Sequence, residues 1–149
     1  MKSLFKEVTL ECFLDIEAKV LFHIWYGKPS SYNFRESLMR LYDEYMTHKE
    51  QFDTPLHWLA DTRSLGVLSL NDQGWLEKVW NETLFVKAGV KTHGVIIGED
   101  VFAKFAMEKF KKSMQQQYAN QNLHLETFPD IESAYHWFRQ IEQTWQVNH

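Results

Sequence analysis

Three short apolar runs constrain this chain more than any other feature: Leu56-His57-Trp58-Leu59-Ala60, Thr92-His93-Gly94-Val95-Ile96-Ile97 and Leu123-His124-Leu125-Glu126-Thr127-Phe128. Each is bounded by a breaker, Pro55, Gly98 or Pro129, and each precedes a stretch of helical period. Strands that alternate with helices form crossover units, so these runs are expected to lie parallel in one sheet with helices on both faces. Runs without polar alternation fit strands buried on both sides.

The rest of the chain extends this pattern. Lys6 to Leu14 and Lys19 to Tyr26 read as strands joined by Asp15-Ile16-Glu17-Ala18, a connection short enough for a hairpin. A helix is expected to open at Asn33, with Glu36 three residues on, and to reach about His48; Phe34, Leu38, Leu41, Tyr42 and Tyr45 share one face. Asp61-Thr62-Arg63 closes the third strand, and Ser69 or Asn71 caps a second helix whose stripe is Leu76, Val79, Trp80 and Thr83. Gly89 stands where a left-handed cap ends that helix. Asp100 caps a third helix with Val101, Phe102, Phe105 and Ala106 turned inward. Gln115 to Gln121 reads as a solvated helix end. Asp130 caps the last helix, whose stripe is Ile131, Ala134, Phe138 and Ile141, before a frayed end from Trp145 to His149. The expected order is ββαβαβαβα in a single α/β domain over 1–149, a mostly parallel sheet with an N-terminal antiparallel hairpin.

Composition fits that picture. Of 149 residues 44% are hydrophobic, which suffices for a core without staples. The net charge is −4, from 16 basic and 20 acidic residues that form no basic stripe, so nucleic acid and an anionic membrane surface are not expected partners. The single cysteine, Cys12, excludes an internal disulfide and reads as a small buried hydrophobe. The first residues lack the apolar segment of a signal peptide, and no apolar run approaches a membrane span, so a cytoplasmic protein without stable membrane insertion is expected.

No phosphate loop, dinucleotide fingerprint, zinc spacing or nucleophile elbow occurs, and no catalytic residue, cofactor or metal site is assigned. His57, His93 and His124 stand near the starts of three parallel strands, where three imidazoles suit a metal. Ligand sites in open α/β sheets form instead at the carboxyl ends of the strands, which favours ordinary strand-end histidines. The carboxyl ends bring together Asp61, Thr62 and Arg63, then Glu99 and Asp100, then Asp130. Carboxylates there read first as helix caps, and second as part of an edge that binds a ligand or partner, with Arg63 its anion contact. Ser69 reads as a cap, with a second reading as a phosphorylation site at a helix start. Trp25, Trp58, Trp80 and Trp137 fit interior positions. Trp75, beside Gly74 and off the helix stripe, is expected to be exposed and to serve a homodimer interface or a pocket wall.

The element order, with Leu59-Ala60-Asp61-Thr62-Arg63 closing the third strand, resembles the STAS domain, the fold of anti-sigma-factor antagonists. More narrowly it is similar to the bacterial SpoIIAA-like group related to CRAL-TRIO lipid-transfer domains. The residues that carry the likeness are Asp61-Thr62-Arg63, Trp75 and Trp80, the segment Ile97-Gly98-Glu99-Asp100-Val101-Phe102-Ala103, and Phe128-Pro129-Asp130 followed by Ala134 and Trp137. Anti-sigma antagonists carry a D-S-S-G-type segment at the second helix; Ser69-Leu70-Asn71-Asp72-Gln73-Gly74 keeps the glycine and lacks the serine pair. The resemblance implies a non-enzymatic protein-interaction or small-ligand-sensing module, with binding of a lipid or other apolar molecule near Trp75 as the alternative.

Overall fold

The computed structural model describes residues 1–147, the side chains of Phe102, Ala103 and Val147 excepted. Its six strands are β1 (Lys2–Lys6), β2 (Leu10–Asp15), β3 (Val20–Gly27), β4 (His57–Leu65), β5 (Thr92–Ile96) and β6 (His124–Phe128). They lie side by side in chain order, β1 to β3 antiparallel and β3 to β6 parallel. The helices are α1 (Ser31–His48), α2, which opens over Leu70–Trp75 and continues through π-helical stretches at Leu76–Trp80 and Thr83–Lys87, α3 (Val101–Gln117) and α4 (Ile131–Val147).

The parallel run of strands and the opening antiparallel pairing match the sequence expectation, with one strand more. The segment read as a single strand from Lys6 to Leu14 is broken at Glu7-Val8-Thr9, where the Glu7 N–H donates to Leu10 O at 2.7 Å. That turn contains no Gly, Pro, Asn or Asp, and so carried no breaker signal. The next turn is conventional: Asp15 Oδ1 accepts from the Ala18 N–H and Lys19 takes φ 59°.

Crossovers that advance in one direction across a sheet place their helices on one face, given right-handed connections. One buried cluster joins Leu21, Trp25, Trp58 and Val95 of the sheet to Phe34, Leu41 and Tyr45 of α1, Trp80, Leu84 and Phe85 of α2, and Met114 of α3. The helix after β6 returns over the opposite face, where Val20, Phe22, Leu59, Ile96 and Phe128 meet Ala134 and Phe138 of α4. Gly94 lets α4 approach: a Cβ there would stand 3.1 Å from Leu59 and 3.2 Å from Phe138.

Local boundaries follow from caps. Helix α1 starts before Asn33, because Ser30 accepts from the Asn33 N–H at 3.1 Å. Ser69 caps α2 through the Asp72 N–H at 3.1 Å, and Gly89 takes φ 72° beyond its end. The α2 stripe differs from a 3.6-residue reading. Asn81, Leu84, Phe85 and Ala88 are buried with Trp80 and Thr83, while Val79 is exposed, since π-helical turns rotate the face that meets the sheet. In α3 the inward face is Met107, Phe110 and Met114, continued by Tyr118 just past its end; Val101, Phe105 and Ala106, expected inward, are exposed. Phe102 falls outside the described side chains. Cys12 is fully buried, and burial pushes its thiol up to about 12. The expected fraying at Trp145 does not occur, because α4 continues past it and its ring stacks on His57 at 5.5 Å; 148–149 lie outside the described residues. No helix among the described residues is long and apolar enough to cross a membrane.

Candidate functional site at the carboxyl edge

Asp61 is the last fully buried residue of β4, and two residues later the strand leaves the core. The β3–β4 register advances from Ile24↔Asp61 to Tyr26↔Ser64, so β4 holds one extra residue across Thr62–Arg63. A bulge of this kind re-aims side chains. Here it folds the Arg63 guanidinium back onto Asp61: Nε donates to Oδ1 at 3.0 Å, Nη2 to Oδ2 at 2.7 Å, and the Arg63 N–H to Oδ1 at 3.1 Å. Thr62 Oγ1 donates to Ile96 O at 2.9 Å and ties the bulge to β5.

Asp130, exposed at the start of α4, accepts from the Ser133 N–H at 2.8 Å. That bond, then the Ser133 hydroxyl and the Arg63 charge, hold its carboxyl below the usual range. Arg63 is in turn held protonated by its hydrogen bonds to Asp61 and by the charges of Asp61 and Asp130. Glu99 is almost fully exposed and meets Lys104 at 3.4 Å. Asp100 is exposed, and its carbonyl accepts the Lys104 N–H at 3.0 Å. Asp61, Thr62, Arg63 and Asp130 therefore form one connected group, with Glu99 and Asp100 beside them at the end of β5. The fork of Arg63 is already filled by Asp61, so what it offers outward is half of a neutralised pair.

Trp75 does not join this group and is not freely exposed. It is half-buried against the α1–α2–α3 cluster, stacked on Trp80 at 6.2 Å, with the Arg35 guanidinium 5.2 Å over its ring. Beside it lies a contact absent from the sequence reading. The Asp72 carboxylate, buried, accepts from Ser31 Oγ at 3.0 Å and from Arg35 at 3.4 Å, pinning α2 to α1. Asp72 thus does not reach back to Ser69 as a reciprocal cap would. Ser69 is exposed, at a cleft of about 220 Å³ that Lys28, Ser31, Gly66 and Val67 also line.

Exposed apolar side chains gather at this same end. Tyr32 starts α1, Val67 and Leu70 lead into α2, and Val101 and Phe105 start α3; each is at least 68% exposed. Sequence periodicity missed this rim because it placed Val101 and Phe105 inside.

The histidines separate rather than cluster. Successive strand residues face opposite ways. His57 lies under α4 and His93 under α2, while His124 is exposed at a cleft of about 340 Å³ on the amino edge, beside Lys91, Asn122 and Trp145. His57 Nε2 donates to Glu142 Oε1 at 2.9 Å, and its Nδ1 bonds Thr92 Oγ1. This is a hydroxyl–imidazole–carboxylate line, yet His57 and Thr92 are both 0% exposed, so no substrate atom reaches the hydroxyl. The unforeseen neighbour of His93 is His23 of β3, whose charge it would oppose.

No family model, no curated protein and no solved structure matches this chain.

Proposed function

We propose that this chain is a STAS-like, non-enzymatic interaction module that holds a partner protein at the carboxyl edge of its parallel strands. The observation that carries the reading is the rim of Tyr32, Val67, Leu70, Val101 and Phe105, all strongly exposed where α1, α2 and α3 begin. Apolar side chains gathered at one end of a domain mark an association surface more often than a chance distribution does. The Asp61–Arg63–Asp130 group lies at the same end and gives the rim a fixed polar border. The Thr92–His57–Glu142 line supports a non-catalytic reading, because its hydroxyl and imidazole are closed to solvent. A bacterial cytoplasmic setting goes with the STAS resemblance.

The test is affinity capture from native lysate with wild-type protein, a Leu70→Glu/Phe105→Glu variant and a His124→Ala control at the amino edge. The reading expects a protein retained by wild type and control and lost from the rim variant. Equal retention by all three would remove the carboxyl edge as the contact surface.

A further inference from the structure

β6 is the last strand of the sheet and pairs only with β5, so one row of its backbone groups has no strand beside it. The pairing tells which groups those are. The His124 N–H donates to Lys91 O at 2.7 Å, and Phe128 O accepts the Ile97 N–H at 3.0 Å. Both residues turn their backbone groups toward β5, and Glu126, midway between them and opposite Gly94, does the same. The N–H and C=O groups of Leu125 and Thr127 therefore point outward. A bare row of this kind is a template for another strand.

The two lateral borders of the sheet are guarded differently. β1, the other outer strand, has exposed Lys2 and Lys6 and shifts register between Ser3 and Phe5. Charges and bulges of this sort spoil a border for pairing. β6 keeps an unbroken register over all five of its residues. Its guard is Glu126. Successive side chains of a strand face opposite ways; Leu125 lies in the core under α1, α2 and α3, and Phe128 in the core under α4. Glu126 thus leaves the strand on the α4 side, with Phe128. Its carboxylate nonetheless meets α3, where Lys111 Nζ donates to Oε1 at 2.7 Å, so the side chain curls across the outer border to the opposite face. The same oxygen accepts the outward Thr127 N–H at 3.1 Å.

We propose that the Glu126–Lys111 clasp closes the outer border of β6 to strand addition, and that the strand it excludes is β6 of a second copy of this chain. The outward groups of Leu125 and Thr127 are symmetric about Glu126. A second β6, antiparallel and related by a two-fold axis between the two Glu126 residues, would set each Leu125 against the other copy's Thr127 and pair every one of these groups. That arrangement puts the two Glu126 side chains directly opposite each other, where like charges are destabilising. It also needs the Thr127 N–H that the carboxylate already holds. One side chain thus blocks the pairing by its charge and by occupying a donor.

Glu126→Cys removes the clasp and reports on the pairing, because residue 126 of two copies so paired would stand about 4.5 Å apart at Cα, within disulfide reach. Cys12, the native thiol, is fully buried. Under mild oxidation the purified variant should run as a disulfide-linked dimer, while Gln115→Cys, at an exposed position of α3 with the clasp intact, stays single. Glu126→Val, without a new thiol, should sediment as a larger species than wild type at equal concentration. Glu126→Cys linking no faster than Gln115→Cys, together with Glu126→Val sedimenting as wild type, overturns the proposal. An introduced thiol that links to other proteins in lysate and not to itself when purified makes the excluded strand a foreign one, and overturns the choice of a second copy. In wild-type protein the Thr127 amide should be protected from hydrogen exchange although it faces away from β5; free exchange there removes the clasp, whatever the variants do.

Discussion

His57 and Glu142 are 85 residues apart in sequence and joined by a hydrogen bond of 2.9 Å that fastens α4 to the start of β4. Glu142 also accepts from Thr54 at 3.3 Å and meets Lys19 at 3.6 Å, so one carboxylate satisfies three elements. Removing it leaves the buried Nε2–H of His57 without an acceptor. Glu142→Ala should cost about 1–3 kcal/mol in urea unfolding, and Glu142→Gln, which keeps an acceptor, clearly less. Equal losses for the two variants would mean that the bond to His57 contributes little.

Acid should unfold this protein through its buried imidazoles. Burial takes His93 down to about 3 and His23 well below its ordinary value, and His57 is brought to about 3 by burial and then by Lys19. A depressed folded-state value means that stability is fully present above the unfolded value of 6.5 and is lost as pH falls toward 3. Each such group withdraws about 1.4 kcal/mol per pH unit in that window. His57 and His93, each brought to about 3, together remove about 4 kcal/mol by about pH 5, a large share of a typical domain's stability, and His23 acts in the same direction. Urea titrations at a series of pH values should show the midpoint falling steadily below about pH 6.5; a flat midpoint down to about pH 4 would contradict the neutral, buried assignment.

The Arg63–Asp61 pair sets up an asymmetric outcome. Arg63 is 41% exposed and Asp61 only 7%, so Arg63→Ala leaves a buried carboxylate with the residue-63 N–H in place of the whole fork, while Asp61→Asn strands nothing of comparable cost. Thermal unfolding should place Arg63→Ala about 1–3 kcal/mol below wild type, at the lower end because solvent screens half of the pair. A variant as stable as wild type that loses partner capture would instead make Arg63 a direct anion contact.

Gly94→Ala probes the contact between α4 and the sheet. The added methyl meets Leu59, Phe138 and Phe128 at 3.1 to 3.4 Å in a filled core, and overpacking of this sort costs about 1–3 kcal/mol. Chemical denaturation should show the loss. A neutral result would mean that α4 is free to shift outward.

What the sequence disclosed and what it withheld divide along one line. The parallel strands were legible because each apolar run had a proline or glycine at its border and a helix cap beyond it, as Asp130 shows. The hairpin turn at Val8 was hidden because no residue in it is a turn former. The α2 face was misread because π-helical turns shift the buried positions to Asn81 and Leu84. Asp61, Arg63 and Asp130 could be assigned to one edge by topology alone. The fork closing on Asp61, and the pairing of His57 with Glu142, depend on a bulge and on contacts across 85 residues that no local pattern encodes.

Photo-crosslinking from chosen positions most directly tests the proposal that the carboxyl edge is the contact surface. A photoreactive amino acid placed at Leu70 should give a discrete cross-linked protein adduct in living cells, and the same probe at Lys91, on the amino edge, should not. Adducts from Lys91 with none from Leu70 would contradict the account and move the interaction to the opposite end of the sheet.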